Sequence, residues 1–414
     1  MPLIFLNRYF HPDHSATSQM LSDLAFALAA EGRSVHVLTS RLRYDDPAAV
    51  LPASEVIDGE TVTRLWTSRF GRSNLLGRAI DYATFYLSAG IALARIAGPG
   101  DIVIAKTDPP MLAVLTTPIA HWRGAKAVSW MQDLFPEVAE ASGMFSGSAA
   151  WLASLLRRLR ARSLRKADRT IALGAVMAET LAALGVPRER IVIIPNWADG
   201  SSVTSIEHSM NTLRQDWGLM HQFVVAYSGN LGRAHDSETI LAAMLKVAEA
   251  KPARQVNWLF IGGGAGYAPL QASIPASLAA CVRFLPYQPR ERLAESLSAA
   301  DAHLVSLRPE FEGLIVPSKV YGIAAAGRAT LFIGDANGEI ATVLKSAGCG
   351  LTVAQGDGDA LAGAVLGLAA NPERCKAMGA RARALFERDY DKPIAVEKWR
   401  KLLASLEVEK SGVA

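Results

Sequence analysis

Hydrophobic and polar positions follow one another along this chain in a repeated order: a short apolar run, a polar loop, then an amphipathic stretch. Leu3–Leu6 is the first apolar run, and residues 20–28 then carry apolar side chains at helical spacing. Val35–Leu38 is the next apolar run. Strand, helix and strand in this order predict a doubly wound α/β sheet with helices on both faces.

The same order returns after residue 222, which predicts a second domain of the same class. Its apolar runs are Val224–Tyr227, Asn257–Ile261, Val282–Leu285, His303–Val305, Thr330–Ile333 and Gly350–Val353. The polar run Gly200–Met210 has no periodicity and predicts a linker. We expect two Rossmann-like domains facing a central cleft, divided as 1–199, a linker 200–222, 223–390, and a C-terminal helical segment 391–414.

Composition narrows the class of protein. The chain has 414 residues, half of them hydrophobic, which is enough for two full cores, and its mean hydropathy of +0.18 also suggests a face that touches lipid. The net charge of +4 is modest for a nucleic-acid-binding protein. Three widely spaced cysteines and an N-terminus without signal-peptide features favour a cytoplasmic protein without a cysteine metal site. The loop after the first strand lacks G-x-G-x-x-G, so we expect no nicotinamide site and no resident cofactor.

A glycine-rich turn follows the first strand of the second half, in the sequence Ser228-Gly229-Asn230-Leu231-Gly232-Arg233. A strand, a glycine turn and a helix start present backbone N–H groups to an anion. Arg233 adds a charge suited to a phosphate, although an ordinary strand-to-helix loop is an equal alternative. A second glycine run, which includes Gly263 and Gly264, follows the next strand and would let a ligand approach the backbone closely.

Further along, Pro317-Ser318-Lys319 begins a predicted helix, with Ser318 as its cap and Lys319 as a cation at its start. Glu310 or Glu312 would hold ribose or sugar hydroxyls. Gly338-Glu339 opens another helix, and the backbone at Pro286-Tyr287 could bond a nucleobase edge, with a plain turn as the alternative. Arg233, Lys319 and helix N-termini would stabilise a diphosphate leaving group, so that no metal is required.

Two stretches of the first half suggest contact with a membrane. Trp151–Lys166 combines a leucine stripe with six arginine or lysine residues, which is typical of a basic amphipathic helix on an anionic membrane. A core-facing helix with a solvated basic side is an equal alternative. The apolar helix Tyr82–Ala94 is too short to span a bilayer.

The motifs at the strand ends resemble those of the family 4 retaining glycosyltransferases of the GT-B fold, of the bacterial surface-polysaccharide type. The markers are the turn 228–233, Ile194-Pro195-Asn196 with Asp199, and Val316-Pro317-Ser318-Lys319 with Gly327. The resemblance implies a nucleotide-sugar donor in the second domain and an acceptor in the first. It also implies a retaining mechanism and a last helix, around Trp399, that crosses back to the first domain.

The resemblance also implies roles for single residues. Asp133 matches the acidic position near the reacting sugar, and the loop with His14, Ser15 and Thr17 lies beside it on the acceptor side. Members close to this pattern often extend sugars on polyprenyl-diphosphate lipids, which implies a lipid-linked acceptor and a peripheral place on the inner membrane face. The expected donor residues are Ser228, Gly229, Asn230, Gly232, Gly263, Gly264, Tyr287, Ser318 and Glu339, with Asp133, Arg233, Lys319 and Glu312 as catalytic residues.

Two departures from the family pattern affect these assignments. Many members carry two glutamates separated by seven residues, whereas Gly322 stands at the second position here and Glu310 or Glu312 would serve as the first. The family's arginine and lysine of the first glycine turn are Asn230 and Asp236 here. Arg233 and Lys319 would therefore supply the cations for the phosphates.

Three other functions remain open from the sequence. A nucleotide-sugar 2-epimerase on the same fold would recruit acid and base groups such as Asp13, His14, Asp133 and Glu137. A transferase with a soluble glucan acceptor is less favoured because of the basic helix. A non-catalytic sugar-binding protein of two α/β domains would usually be exported, and the N-terminal sequence does not favour export.

Overall fold

The computed structural model describes residues 1–13, 15–44, 46, 49–71, 75–145 and 150–411. The chain divides into two compact units: Met1–Pro195 together with Val396–Ala414 forms unit 1, and Asn196–Ala395 forms unit 2. Each unit is built on one largely parallel sheet, so the α/β fold class and the repeated plan expected from the apolar runs are confirmed.

Unit 1 contains a sheet whose described strands follow the order β3-β4-β2-β1-β5-β6-β7-β8. The strands are β1 Leu3–Leu6, β2 Val35–Ser40, β3 Ser54–Ile57, β4 Glu60–Leu65, β5 Ile102–Ala105, β6 Lys126–Trp130, β7 Arg169–Ala172 and β8 Ile191–Ile193. The helices are α1 Ala16–Ala30, α2 Leu75–Ile96, α3 Leu112–Trp122, α4 Glu137–Ala141, α5 Ala150–Lys166 and α6 Ala175–Ala183. Among the described strands, β3 and β4 form the antiparallel pair, with Ile57 opposite Glu60 across a turn at Asp58-Gly59, where the alternating apolar positions around this dipeptide predict a hairpin.

The centre of the first sheet explains the continuous apolar runs. Every residue of β1 and β5 is buried, because helices cover both faces of a parallel sheet. On one face, α2 packs against α3, where Gly90 lies against Leu115, and α3 packs against α5. The Ser163 hydroxyl of α5 donates to the Ala113 carbonyl at 2.7 Å. These three helices therefore form one continuous layer.

Unit 2 contains a parallel sheet in the order β11-β10-β9-β12-β13-β14. The strands are β9 Phe223–Asn230, β10 Val256–Gly263, β11 Val282–Leu285, β12 Ala302–Ser306, β13 Ala329–Ile333 and β14 Gly350–Val353. The helices that belong to or begin in this unit are α7 Thr212–Asp216, α8 Glu238–Ala250, α9 Tyr267–Ser273, α10 Leu293–Ser298, α11 Lys319–Ala325, α12 Glu339–Ala347, α13 Gly358–Ala370, α14 Pro372–Asp389 and α15 Lys392–Ser411. The strand β9 is central, and its partner β10 runs beside it through Gly263.

The segment 200–222, which the sequence predicted to be a linker, is packed into unit 2. Asn211 caps α7 by accepting from the Arg214 backbone N–H. The Arg214 guanidinium is fully buried and donates to the Ala299 carbonyl at 2.6 Å and to Asp301 Oδ2 at 3.0 Å. Separating a buried arginine from its ion-pair partner is strongly destabilising, so this segment is an ordered part of unit 2.

The last helix, α15, begins in unit 2 and belongs to unit 1 from Val396 onward. At its start, Lys392 pairs with Asp199 at 3.0 Å. Further along, Trp399 is fully buried, with its ring 4.7 Å from that of Trp130. This burial explains why a helix that follows unit 2 in the sequence is part of the core of unit 1.

Candidate active site

The carboxyl ends of β9 and β10 bring the two glycine runs of unit 2 into contact. Gly262 and Gly264 have φ of 137° and 118°, which favour glycine. A Cβ on Gly262 would overlap the Gly229 carbonyl, and a Cβ on Gly264 would lie 2.6 Å from the Leu231 carbonyl oxygen. Packing between the two turns therefore requires these two glycines. The sequence pattern alone had predicted a different reason for the glycine run, namely close approach of a ligand to the backbone.

Lys319 extends from the first turn of α11 to the same glycine turn. Its Nζ donates to the Tyr227 hydroxyl, lies 3.9 Å from the Tyr227 ring centroid and is 3.5 Å from the Asn230 carbonyl oxygen. The Tyr227 hydroxyl donates in turn to the Asn230 carbonyl at 3.0 Å. The fold thus places the ammonium group of Lys319 beside Gly229 and Asn230, as the sequence reading required.

Burial lowers the pKa of Lys319 to about 7. An ammonium group surrounded by protein is costly because it loses hydration, and Tyr227 and the Asn230 carbonyl replace only part of that hydration. An anion bound at the turn would restore the charged form and raise this pKa again. Lys319 is therefore a cation whose charge depends on whether the site is occupied.

His235 belongs to this cluster and was not singled out from the sequence. Its Nδ1 lies 2.5 Å from the Ser306 carbonyl oxygen, and its ring is 6.1 Å from that of Tyr227. Burial, and then the charge of Lys319, lowers the pKa of His235 to about 3, so the imidazole is neutral. The only sequence signal was its place between the glycine turn and α8.

Asp236 has a structural role that explains one departure from the family pattern. It is buried, and its carboxylate accepts from the Glu238 backbone N–H at 3.1 Å and from the Thr239 hydroxyl. The sequence around Asp236 predicts that it caps α8, but the cap residue is Ser237, so Asp236 holds the first residues of the helix from one position earlier. A carboxylate occupied in this way cannot replace the lysine that other members carry there.

Arg233 and Ser318 differ from what the sequence suggested. Arg233 is exposed and makes no hydrogen bond or ion pair with the described residues. Ser318 is also exposed, and its hydroxyl does not cap α11. Of the two cations expected at the phosphates, only Lys319 contacts the turn.

Glu312 is held against the start of α12. Its Oε1 accepts from the Glu339 backbone N–H at 2.9 Å, and a Cβ on Gly338 would lie 2.6 Å from its carboxyl carbon. Burial raises the pKa of Glu312. Its Oε2 is buried and has no hydrogen-bond partner among the described residues. Glu310, the alternative, is exposed.

The remaining expected donor residues lie around the same strand ends. The Ser228 hydroxyl is buried without a hydrogen-bond partner in the described part of the chain. Tyr287, which follows β11, is 61% exposed, and its ring would lie 3.6 Å from a Cβ on Gly263. Gly232 lies beside the Asn230 side chain. An exposed aromatic ring next to an open glycine is a surface on which a planar base can stack.

In unit 1, a pocket lies at the carboxyl ends of β5 and β6. Its lining includes Lys106, Ser129, Met131, Asp133 and Arg160. Asp133 keeps more than a third of its surface exposed, yet the protein packed around it raises its pKa to about 6. A carboxyl group with this pKa can accept or release a proton near neutral pH.

Lys106 connects this pocket to the predicted acceptor-side loop and was missed from the sequence. Its Nζ donates to the Thr17 carbonyl at 2.9 Å and lies 3.7 Å from the Trp130 ring centroid. It is almost fully buried, and burial lowers its pKa well below the usual value. The Ser15 backbone N–H donates to Asp13 at 2.8 Å, which fixes the start of α1. His14 lies outside the described residues.

The sequence Asp389-Tyr390-Asp391 has the D-x-D spacing seen in some metal sites, but its place before Pro393 predicts a helix end. Asp391 accepts from the Gly200 backbone N–H at 3.0 Å, and so has a structural partner. Within the described ranges, no cluster of three or more His, Cys, Asp or Glu side chains is arranged to hold a metal ion.

Comparisons with known proteins identify the class. Residues 16–197 match the family described as glycosyl transferase 4-like domain, and residues 222–371 match the glycosyl transferases group 1 family. Together these matches cover most of both units. The chain therefore belongs to the family 4 glycosyltransferases with the GT-B fold, and it is an enzyme that transfers a sugar.

Two relatives and two solved structures agree with this class. The chain is 28% identical to WbjE of Pseudomonas aeruginosa, described as a probable glycosyltransferase, over 80% of this chain and 82% of that protein. It is 21% identical to WcaI of Escherichia coli (strain K12), described as a colanic acid biosynthesis glycosyl transferase, over 84% and 86%.

Among solved structures, sucrose-phosphate synthase from Thermosynechococcus elongatus superposes with a TM-score of 0.77 at 18% identity, over 99% of this chain and 100% of that chain. Anabaena HepE in complex with UDP-glucose gives a TM-score of 0.69 at 15% identity, over 98% and 100%. At these identities the likeness concerns the fold alone.

Proposed function

We propose that this enzyme transfers a sugar from a nucleotide-sugar donor to a saccharide linked to polyprenyl diphosphate, with retention of configuration, in the synthesis of a cell-surface polysaccharide or O-antigen. The observation that carries the proposal is the contact of Lys319 with the glycine turn at the end of β9. The structure of HepE with UDP-glucose and the description of WcaI in colanic acid biosynthesis support the donor and the pathway class.

The donor diphosphate would lie at the turn 228–232, beside the Lys319 ammonium. The bond from the anomeric carbon to the β-phosphate oxygen breaks, and a bond to the acceptor hydroxyl oxygen forms on the same face. The proton of that hydroxyl leaves with the nucleoside diphosphate. Negative charge grows on the phosphate during this step, and Lys319 stabilises it.

Tyr287 would stack on the base, because it is exposed beside Gly263. Ser228 and the unpartnered Oε2 of Glu312 would accept or donate hydrogen bonds to ribose or sugar hydroxyls after small side-chain shifts. Ser318 and Arg233, both exposed, would reach the phosphates only with the donor bound. The backbone N–H of Glu339 already donates to the Glu312 carboxylate.

The acceptor would bind unit 1 at the pocket that contains Asp133. With a pKa of about 6, Asp133 is mostly ionised at neutral pH and can orient a hydroxyl or stabilise positive charge on the sugar. Thr17 and Ser15 begin α1 near Lys106, which places the predicted acceptor-side loop at the same strand ends.

A lipid-linked acceptor requires that the enzyme work at a membrane. The helix α5 exposes apolar and basic side chains that could bind an anionic membrane surface. Along the leucine stripe of this helix, Leu152, Leu155 and Leu159 are 36%, 44% and 41% exposed, and the preceding Trp151 is 69% exposed. Exposed arginines alternate with these apolar residues along the helix. Arg160, which the sequence predicted to lie on the basic surface, is instead buried and paired with Glu137. No described helix is long and apolar enough to cross a bilayer. We propose a peripheral position on the cytoplasmic face of the plasma membrane.

The test is transfer of labelled sugar from UDP-sugars and GDP-sugars to a polyprenyl-diphosphate-linked saccharide. Lys319→Ala should reduce turnover at least about tenfold, which corresponds to roughly 1.4 kcal/mol of transition-state stabilisation. Lys246→Ala is the matched control, because Lys246 is an exposed lysine of the same unit, 53% accessible, paired only with Asp359. Full activity of Lys319→Ala would remove the phosphate assignment.

The same assay separates the alternatives. Donor turnover that continues without any acceptor would favour a nucleotide-sugar 2-epimerase, and transfer to free glucans would favour a soluble acceptor. No binding of any nucleoside diphosphate or nucleotide sugar in calorimetry would overturn the donor assignment.

A further inference from the structure

The helix α2 exposes an apolar surface that the transfer reaction does not use. Leu76, Ile80, Leu87 and Ile91 are 74%, 38%, 67% and 46% exposed, at spacings that keep them on one side of the helix. From Leu76 to Ile91 the helix rises about 22 Å. Apolar side chains in this number on one face are more than the isolated exposed leucines of an ordinary surface.

The exposed side of α2 carries no charge over most of its length. Asp81 is the one charged residue in the sequence between positions 79 and 94. It is buried, 3.5 Å from the buried Arg8. A solvated helix surface normally carries charged side chains, and this one does not.

Two exposed aromatic residues are held beside this helix by a fixed loop. Trp66 and Phe70 are 65% and 59% exposed. The Phe70 backbone N–H donates to Asp81 at 3.0 Å, and the Ser88 hydroxyl donates to the Trp66 carbonyl at 2.8 Å. The loop is thus hydrogen-bonded to the helix, so the two rings belong to the same surface. We call Trp66, Phe70, Leu76, Ile80, Leu87 and Ile91 the α2 face.

The exposed charges at the end of α2 and on α5 are positive. Arg95 is exposed at the end of α2. On the same side of the sheet, α3 joins α2 to α5, which exposes Arg158, Arg162, Arg165 and Lys166. The sequences of α3 and α5 contain no acidic residue. The nearby acids Glu137 and Glu140 of α4 are paired with arginines of α5.

We propose that the α2 face inserts into the acyl-chain region of an anionic membrane leaflet while the cations of α5 contact the headgroups. An apolar strip with aromatic residues at one side and arginines around it matches the layers of a leaflet, which are apolar inside and anionic at the surface. A second copy of the chain fits less well, because a symmetric contact through this side would bring positive groups together.

This inference extends the proposed function, since it assigns the contact through which the enzyme reaches a lipid-linked acceptor. It differs from adsorption by α5 alone in one measurable respect. Electrostatic adsorption weakens with salt, whereas burial of apolar side chains persists at high salt.

The experiment is flotation of the full-length protein with vesicles of phosphatidylglycerol and phosphatidylcholine at low and high salt. In the double variant Leu87→Glu/Ile91→Glu, the salt-resistant bound fraction should fall at least about tenfold, since two carboxylates cannot enter the acyl region. Met210→Glu is the matched control, because Met210 is 73% exposed in unit 2, and it should bind as the wild type does. Circular dichroism and thermal unfolding establish that each variant is folded.

A second readout does not depend on an acidic variant. An environment-sensitive dye on Leu87→Cys should shift to the blue with vesicles, whereas the same dye on Met210→Cys should not. Unlabelled positions contribute little background, because Cys349 and Cys375 are buried and Cys281 is half-buried.

Equal flotation of Leu87→Glu/Ile91→Glu and the wild type would overturn the proposal. A dimer in light scattering that this double variant converts to a monomer would also overturn it, in favour of a second copy on the α2 face. Transfer to the polyprenyl-diphosphate-linked acceptor, dispersed in detergent instead of vesicles, is measured in parallel. Its absence in every variant, with flotation as expected, would reject the proposed function and leave the membrane contact standing.

Discussion

Different residue types stand at the carboxyl ends of the strands in unit 1 and unit 2, although both units are α/β folds with a largely parallel sheet. In unit 2, β9 and β10 end in glycines whose backbones touch, with the Lys319 side chain beside them. In unit 1, β5 and β6 lead into Lys106 and Asp133, both of which have shifted pKa values. Unit 2 thus offers a closely packed glycine turn with one cation beside it, and unit 1 offers a pocket lined by a carboxyl and an ammonium group.

This difference indicates how the same fold divides the work of a transferase. The packed glycines fix the position of the turn, which suits a diphosphate that must be held before and after transfer, and Lys319 adds a positive charge there. The Asp133 carboxyl of unit 1, with a pKa of about 6, changes protonation near neutral pH, which suits contact with a reacting hydroxyl. The predictions below test this contrast, from the largest expected effect to the smallest.

The largest effect is expected from a single methyl group at the glycine turn. Gly264→Ala places a Cβ inside contact distance of Leu231 at a positive φ, so unit 2 should lose more than about 2 kcal/mol of stability. Urea unfolding measures this change. Gly363→Ala is the control, because a Cβ there meets nothing within 4 Å, and it should be neutral or slightly stabilising. Equal stability of the two variants would contradict the packing account.

The second effect concerns pH and the donor. Burial lowers the pKa of Lys319 from 10.5 to about 7, so its charge is lost as the pH rises through that value. The affinity for a nucleotide sugar, whose diphosphate does not titrate in this range, should fall about tenfold or more between pH 6 and pH 8.5. Calorimetry measures the affinity at each pH.

Lys319→Arg supplies the control for that pH series, since a guanidinium stays charged and its binding should not change with pH. The same shift has a consequence for stability. Between about pH 7 and pH 10.5 the unfolded chain holds a proton that folded Lys319 has lost, so this group favours folding more strongly as the pH rises. A pH-independent affinity in the wild type would show that Lys319 does not face the diphosphate.

The third effect separates the two units. Asp133→Asn should lower the rate of transfer about tenfold or more, because it removes the carboxylate beside the acceptor pocket while keeping its size. Donor affinity should be unchanged in calorimetry, since Asp133 belongs to unit 1. A parallel loss of donor affinity would show that the pocket and the glycine turn do not have separate tasks.

The smallest effect is expected at Tyr227. Tyr227→Phe removes the hydroxyl that accepts from Lys319 and donates to Asn230, but it keeps the ring under the ammonium group. Loss of one such hydrogen bond, worth about 1 kcal/mol, should weaken donor binding roughly fivefold. Stability should change little, since the ring fills the same space. A loss as large as that of Lys319→Ala would assign Tyr227 a direct contact with the donor.

The local pattern of apolar and polar residues was enough to predict much of the fold. Parallel strands such as β1 and β5 are buried on both faces, so they appear in the sequence as continuous apolar runs, and the hairpin at Asp58-Gly59 is a local feature. The segment 200–222 was misread because its polar residues suggest a solvated linker. Its Arg214 is buried by an ion pair with Asp301, which is remote in the sequence.

The site shows the same division. Lys319 and the turn 228–232 were found because glycines and a cation after strand ends have a local chemical meaning. His235 and Lys106 were not, since their importance comes from neighbours far along the chain, Ser306 and Thr17. Arg233 resembled a phosphate ligand in sequence, yet its side chain is exposed to solvent.

The sequence by itself determined that the chain forms two α/β units with strand-end glycines, because periodicity and turn chemistry act over neighbouring residues. The tertiary structure decided which side chains meet: that Glu312 is held by the start of α12, that Arg160 is buried, and that the leucines of α5 and the α2 face lie in water. Helical spacing shows that a stripe exists, but only packing against the sheet decides which stripe is covered.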